Sequence, residues 1–480
     1  MDTSREIKED SSFNMTLLIL VIGLVGIGGA LLFNNIPLFG MIIALPLLCI
    51  TCILLLKYPW FILFVIFTIN YFILGITRYI PIEGVSVIMD ILYVTALVLL
   101  SIHAALYQNI EWKRAIHPLS VMCCIWMGYC IFEIANPSGV LEAWILSRGL
   151  IFNGFIIVII TSLLCTRYSF LKSLIFCLSL FTLLAITKTF MQKYIGFDSF
   201  ETKWLNEGGA TTHIIWSGVR YFSFFTDASN MGANMGAATA FHMRSYLCRI
   251  YYLSIAILAI YAMFLSGTRG AMIVPLAGLA LYTFVSKQTK TIITSSTLLL
   301  LTYVFFALTT IGNSNATIRR MRTAFTPTED ASFNVRKENQ KKLASYMKYK
   351  PFGEGLGLSG DRAGERISKR FTTSIPTDSW YVKIWVETGA VGLTLYLSMI
   401  FLSIGWGGWI IAMRLRDPEL KGLLCGIFGM FINAYGNSFW GQFPTMVISF
   451  TGLTFIMVGP YLDQEIQEKK STDSNIKHHD

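Results

Sequence analysis

The sequence predicts an all-α protein, a polytopic membrane helix bundle of about 14 spans with a long, partly helical outer loop. Three observations carry that expectation. Only 14% of the 480 residues are charged and 54% are hydrophobic, whereas roughly 25% are charged in ordinary globular chains. A soluble fold of this size could not cover its surface with so few charges. Apolar runs near the roughly 20 residues that a span requires follow one another almost without a break. Of the 38 Lys and Arg, in a chain of net charge +10, 22 fall in the termini and the short loops that alternate with those runs. Coiled coils, disordered chains and nucleic-acid binders are excluded by the same composition.

Residues 1–14 form an acidic segment expected in the cytoplasm. The first apolar run follows without a small-residue cleavage site, so it reads as a retained span. The amino-terminal membrane helices over 15–190 are expected at 15–33, 37–56, 59–77, 85–106, 118–135, 149–166 and 168–190. An outer loop, 191–228, precedes a second set over 229–311, at 229–243, 250–266, 271–286 and 291–311. The weakest of these is 229–243, short and rich in Asn and Gly, with Gly232 and Gly236 spaced for close helix contact. A large outer loop spans 312–378. The last helices, over 379–461, are expected at 379–411, 422–437 and 442–461, before a disordered cytoplasmic tail at 462–480.

Orientation follows from Lys and Arg in the short loops. With the amino terminus inside, inner loops and termini carry sixteen of them, among them Arg5, Lys8, Lys57, Arg244, Lys287, Arg414, Arg416 and Lys477, and outer short loops carry six. Both termini are then cytoplasmic, and 312–378 lies outside, where a cysteine placed at Ser359 should meet an impermeant reagent. The nine cysteines avoid both long outer loops, so neither a disulfide framework nor a metal spacing is implied. The large loop holds thirteen Lys and Arg against seven acids, leaving +6. Its stretch 333–350 has helix-forming composition up to Pro351, and GEGLG at 353–357 reads as a flexible loop. That run is too short and wrongly placed for a nucleotide loop.

Arginine collects on the outer side. Arg220 precedes the weak span, and Arg269 sits in SGTRG, the tight turn between two short spans. A charge beside hydrocarbon costs several kcal/mol unless it is paired or lines a cavity, and the guanidinium fork suits phosphate oxygens. These residues point to an anionic substrate such as a lipid pyrophosphate; a turn cap or a snorkelling side chain is the other reading of Arg269. Asp378 starts the span 379–411 and is either a general base or a helix cap. Glu387, nine residues on, is expected to pair inside the bundle. Asp90, Glu133 and Glu142 fall into no pattern. His213, in an outer loop, reads as structural before catalytic.

The ordered motifs resemble the O-antigen ligase and O-antigen polymerase superfamily of bacterial membrane glycosyltransferases. They are RYFSFFTDASN from Arg220, SGTRGA from Ser266, SFNVR over 332–336, YKPFGEGLG from Tyr349 and DSWYVKIWVETGAVGL from Asp378. The resemblance covers about 215–400. It implies inverting, metal-independent glycosyl transfer at the outer face of the bacterial cytoplasmic (inner) membrane, with no cofactor. The substrates implied are an undecaprenyl-diphosphate-linked oligosaccharide and a glycan acceptor, among membrane lipids and polysaccharide-assembly proteins, without nucleic acid. By position, Arg220, Arg269 and Arg336 would bind the pyrophosphate, and Asp378 and Arg269 would be catalytic. Many ligases of this family carry a histidine and asparagine where this chain has Asp378 and Ser379, and no histidine occurs in 312–378. That departure favours a polymerase of surface-polysaccharide repeat units (O-antigen, capsule or exopolysaccharide) over a ligase to lipid A core. A transporter for the same lipid-linked glycan would need charges along several spans. A non-catalytic assembly protein would tolerate single arginine losses.

Overall fold

The computed structural model describes residues 53–80, 84–107, 110–215, 218–240, 246–286, 288–325, 331–360, 362–413 and 418–476. It is 77% helical. Among the described residues the only sheet is a hairpin of Ile214–Ile215 with Gly218–Val219. The predicted segment 1–14, the span 15–33 and most of 37–56 lie outside the described residues, as do Arg5, Lys8, Arg244, Lys287, Arg414, Arg416 and Lys477.

The chain divides into two units, 1–62 with 98–108 and 63–97 with 109–480. In the first, the His103 ring meets the Leu56 carbonyl at 3.4 Å and tilts onto Tyr107. The second unit holds the rest. The helices that matter below are α1 (Phe61–Ile76), α2 (Val85–Tyr107), α3 (Pro118–Phe132), α4 (Gly154–Leu164), α5 (Tyr168–Tyr194), α6 (Ala228–Ala238) and α7 (Tyr246–Leu265). After them come α8 (Ile273–Val285), α9 (Thr289–Tyr303), α10 (Ala316–Arg322), α11 (Ala331–Met347), α12 (Trp380–Met413), α13 (Pro418–Asn433) and α14 (Thr445–Ile476).

Among the described residues, seven helices are long and apolar enough to cross a membrane, and four more, Phe61–Ile76, Gly149–Leu164, Arg269–Val285 and Leu420–Asn433, are apolar but shorter. Together they make this an integral membrane protein. A count of fourteen is not reached by length alone. The expected span 229–243 resolves into the eleven residues of α6, about 16 Å at helical rise, against roughly 30 Å of hydrocarbon. What holds α6 is polar. Asp227 caps it by accepting from the Ser229 and Asn230 amides at 2.7 and 2.9 Å. Asn234 Nδ2 donates to Asn230 Oδ1 and to Thr445 Oγ1, both at 2.8 Å, and Thr445 donates in turn to Asn230. Such bonds average about 0.6 kcal/mol each inside a membrane, enough to fix a register.

The tail also departs from expectation, because α14 runs unbroken to Ile476; its Glu-, Gln- and Lys-rich end is made of good helix formers. In the large loop, the helix expected over 333–350 is α11, ending before Pro351. Leu343 of α11 is buried with Ile375, Val382 and Val386, and Trp385 packs against them. That small apolar cluster fastens the loop to the start of α12.

Candidate active site

The hairpin at 214–219 turns the chain so that the His213 carbonyl accepts from the Arg220 amide at 2.8 Å. Among the described residues, the Arg220 guanidinium then donates to neutral oxygens: Thr268 Oγ1 at 2.9 Å, the Thr212 carbonyl at 3.0 Å, Ser229 Oγ at 3.2 Å and the Ser266 carbonyl at 3.4 Å. Burial pulls its pKa below the ordinary arginine value; Asp227 opposes that, and the charges of Arg336 and Arg269 add to it. Arg78 braces the same segment from behind. It donates to the Ser223 carbonyl at 2.8 Å and to Phe225, and lies 4.5 Å over the Trp204 ring.

SGTRG is a tight turn with Gly267 at φ +58, and a Cβ there would stand 3.1 Å from Arg220 Cγ. Only glycine takes that backbone without strain. Thr268 N donates to Ser266 Oγ at 3.2 Å. The predicted close approach at Gly232 and Gly236 is real: a Cβ at Gly232 would lie 2.5 Å from Ser266 Oγ, and one at Gly236 would lie 2.9 Å from Val274 Cβ. α6 therefore seats the turn that carries Arg269. The Arg269 side chain donates to Thr323 Oγ1 at 2.9 Å, just beyond α10.

Arg336 lies one heptad before the buried Leu343 of α11, while Phe333, Lys337 and Gln340 share its side of the helix. Its Nη1 donates to the Gly436 carbonyl at 2.7 Å, and its Nε stands 3.8 Å from Asp378 Oδ2. Asp378 is not the cap of α12. Ser379 occupies that position, its carbonyl accepting from Lys383 N at 3.0 Å and its hydroxyl standing 3.5 Å from Val382 N. Asp378 instead adopts φ +49, an uncommon conformation that aspartate tolerates better than most residues, and its carboxylate is left partly exposed.

Arg220, Arg269 and Arg336, 116 positions apart at the extremes, line one cavity of about 800 Å³. Arg320 and Lys337 join them, and among the described residues no carboxylate lines the cavity. Phe333, Leu397, Phe401 and Phe431 form an apolar wall of the same space. Cations beside an apolar wall can hold a phosphate headgroup and its hydrocarbon tail together. Arg320 was not legible as a site residue, because Arg319 and Arg322 flank it on α10 and only the fold selects among them. Arg319 bonds the Asn313 carbonyl and Arg322 the Ile311 carbonyl.

A second cavity, about 530 Å³, includes Asp378. Also along it are Asp90 and Arg148, paired at 2.5 Å, and Lys383 and Glu387, paired at 3.3 Å. Glu387 thus does pair inside the bundle, as expected. The GEGLG run is a buried clamp rather than a flexible loop. Glu354 N donates to the Val386 carbonyl at 2.9 Å and Gly355 N to the Glu387 carbonyl at 3.0 Å, where α12 breaks at Gly389 with φ +68. A Cβ on Gly389 would fall 1.9 Å from the Pro351 carbonyl oxygen.

His213 is structural in its contacts. The ring packs 4.8 Å from Phe222 and 5.2 Å from Trp204, its Nδ1 lies 2.9 Å from the Gly209 carbonyl, and burial pushes its pKa down to about 4. Among the described residues no three His, Cys, Asp or Glu side chains gather as a metal site.

No curated protein matches the chain. Residues 254–397 match a family model described as O-Antigen ligase, a stretch that includes Arg269, Arg320, Arg336, Asp378 and Glu387 but begins after Arg220. That stretch, which carries the turn, the large loop and the start of α12, is thus similar to the O-antigen ligase family.

Proposed function

We propose that the protein is a polymerase of surface-polysaccharide repeat units, a metal-independent, inverting glycosyltransferase working at the outer face of the bacterial cytoplasmic membrane. The observation that carries this reading is the convergence of Arg220, Arg269, Arg320, Arg336 and Lys337 on one cavity with an apolar wall and, among the described residues, no carboxylate. Such a cavity suits an undecaprenyl diphosphate. In the reaction, an acceptor sugar hydroxyl oxygen bonds to the anomeric carbon of the lipid-linked glycan. The bond from that carbon to the diphosphate oxygen breaks, and its electron pair leaves with the lipid diphosphate. The arginines stabilise that growing charge. Asp378, 3.8 Å from Arg336, is placed to take the hydroxyl proton. Ligation to lipid A core uses the same chemistry with another acceptor; Asp378 in place of the histidine common in ligases favours the polymerase.

The test uses purified protein in detergent with an undecaprenyl-diphosphate-linked oligosaccharide from the native host and EDTA throughout. A ladder of longer lipid-linked glycans, lost in Arg269→Ala, supports the polymerase. Product only with added lipid A core makes the protein a ligase. Absence of product with any acceptor, despite lipid binding, rules against both. Topology is tested separately by labelling with an impermeant reagent. Ser359 is buried and unsuited to it, so the cysteine belongs at the exposed Lys348; labelling only after permeabilisation would reverse the assigned face.

A further inference from the structure

The second cavity differs in kind from the basic one. Among the described residues, three carboxylates (Asp90, Asp378 and Glu387) and two cations (Arg148 and Lys383) line it, with the amides of Asn153 and Gln442. Glu387 is wholly buried. Its Oε1 accepts from Ser359 Oγ at 2.5 Å and faces Lys383 Nζ at 3.3 Å. Among the described residues its Oε2 has no hydrogen-bond partner. A buried carboxylate oxygen without a donor is unfavourable by more than a neutral group would be, so the cavity presents an acceptor to whatever enters. Three carboxylates repel a diphosphate, and buried charges reject a hydrocarbon chain. A polyhydroxylated, uncharged molecule meets both conditions: its hydroxyls donate to Glu387 and accept from Asn153 or Lys383. Asp378 closes the argument, because it lines this cavity while its partner Arg336 lines the other.

We propose that the cavity at Glu387 is the acceptor subsite, which takes the hydroxyl-bearing end of an uncharged glycan, with Glu387 and Asn153 as positioning residues. A hydroxyl seated there lies on the Asp378 side of the seam, and the donor diphosphate lies on the Arg336 side. This assignment rests on the glycosyl-transfer reading above and adds to it the place and chemical class of the second substrate.

Two probes separate the cavities: undecaprenyl diphosphate without sugar, and the lipid-free oligosaccharide released by mild acid from the host's lipid-linked glycan. Glu387→Gln and Asn153→Leu are each expected to weaken oligosaccharide binding about tenfold and to leave undecaprenyl diphosphate binding unchanged. In transfer assays the acceptor KM should rise while kcat changes little, and Glu387→Asp should recover part of the loss. Asn153→Leu removes a buried polar group without adding one, so it remains informative if Glu387→Gln folds poorly. Equal weakening of both probes, or oligosaccharide binding untouched in Asn153→Leu, overturns the subsite. If undecaprenyl diphosphate fails to bind the wild type while the oligosaccharide binds through Glu387, the donor reading fails and the glycan subsite stands.

Discussion

Two cavities meet at the contact between Arg336 and Asp378, and their charge separates them more than their size. One, of about 800 Å³, collects five cations from four elements and, among the described residues, no carboxylate. The other, of about 530 Å³, balances acids against bases and pairs them across 2.5 and 3.3 Å. Unbalanced positive charge beside an apolar wall is tolerated only where an anion is to be bound, because self-repulsion and desolvation both oppose it. The strain registers on Arg220, whose pKa is pulled down by burial and further by Arg336 and Arg269. Paired charge has no such need and instead orients neutral hydrogen-bonding groups. The difference therefore assigns the ionic and the neutral substrate to opposite sides of one carboxylate.

The largest break in that comparison should come from Arg269→Ala. Losing one fixed cation at the leaving diphosphate is expected to lower kcat by about 10³-fold, with a smaller loss of undecaprenyl diphosphate binding. Arg269→Lys should recover only part of this, since an ammonium cannot reproduce the fork that reaches both a phosphate and Thr323. Full activity in the alanine variant, measured by the glycan ladder, would reduce the basic cavity to a structural feature.

Asp378→Asn comes next. If the carboxylate takes the acceptor proton, kcat should fall about 10²-fold with both binding constants preserved, because the amide keeps the shape and an oxygen facing Arg336. Unchanged kcat removes Asp378 as the base and turns attention to the other carboxylates of the second cavity. Arg320→Ala should follow with a loss of about tenfold, seen mainly in undecaprenyl diphosphate affinity, while Arg319→Ala, whose guanidinium turns to the Asn313 carbonyl, should change affinity little. Equal effects from the two would show that the basic helix α10 acts through general charge and not through one directed side chain.

How much of this was legible in the sequence depended on range. Apolar runs located the described helices because burial in lipid imposes a length and a composition on each segment separately. Arg220 and Arg269 stood out for the same reason, since charge in so apolar a chain requires a destination, whereas Arg336 was singled out only through the family resemblance. The close contact at Gly232 and Gly236 followed from spacing alone. What escaped needed partners from afar. Asp90 meets Arg148 only because α2 lies beside the turn before α4, and Glu387 meets Ser359 only because GEGLG docks on the break at Gly389. The cap of α12 was off by one residue, since Thr377, Asp378 and Ser379 all suit the position and only the backbone, with Asp378 at φ +49, settles it. The short α6 reads as the weakest span because of its Asn and Gly, and the sequence alone does not show that Asn230 and Asn234 bond Thr445 at the start of α14.

The finest test of the comparison concerns how Arg220 is held, and it turns on pH. The His213 carbonyl anchors the Arg220 amide, and the ring is buried between Trp204 and Phe222 with its pKa near 4. A histidine with a depressed pKa stabilises the fold in its neutral form. That contribution is complete above the ordinary value of about 6.5 and is lost progressively as pH falls towards 4; below that, both states carry the proton and nothing more is lost. The full contribution is at most about 3 kcal/mol. Thermal unfolding in detergent should therefore show stability falling between pH 6.5 and 4, with the slope flattened in His213→Phe, which keeps the ring packing and discards the titration. At pH 7 the same variant should transfer glycan within about twofold of wild type, because the ring touches neither cavity. Since only the basic cavity depends on this anchor, undecaprenyl diphosphate binding should weaken with falling pH in wild type more than in the variant. Oligosaccharide binding at Glu387 should show no difference between the two proteins across the same range, and a shared pH response would mean that the cavities are coupled through the loop and not merely adjacent.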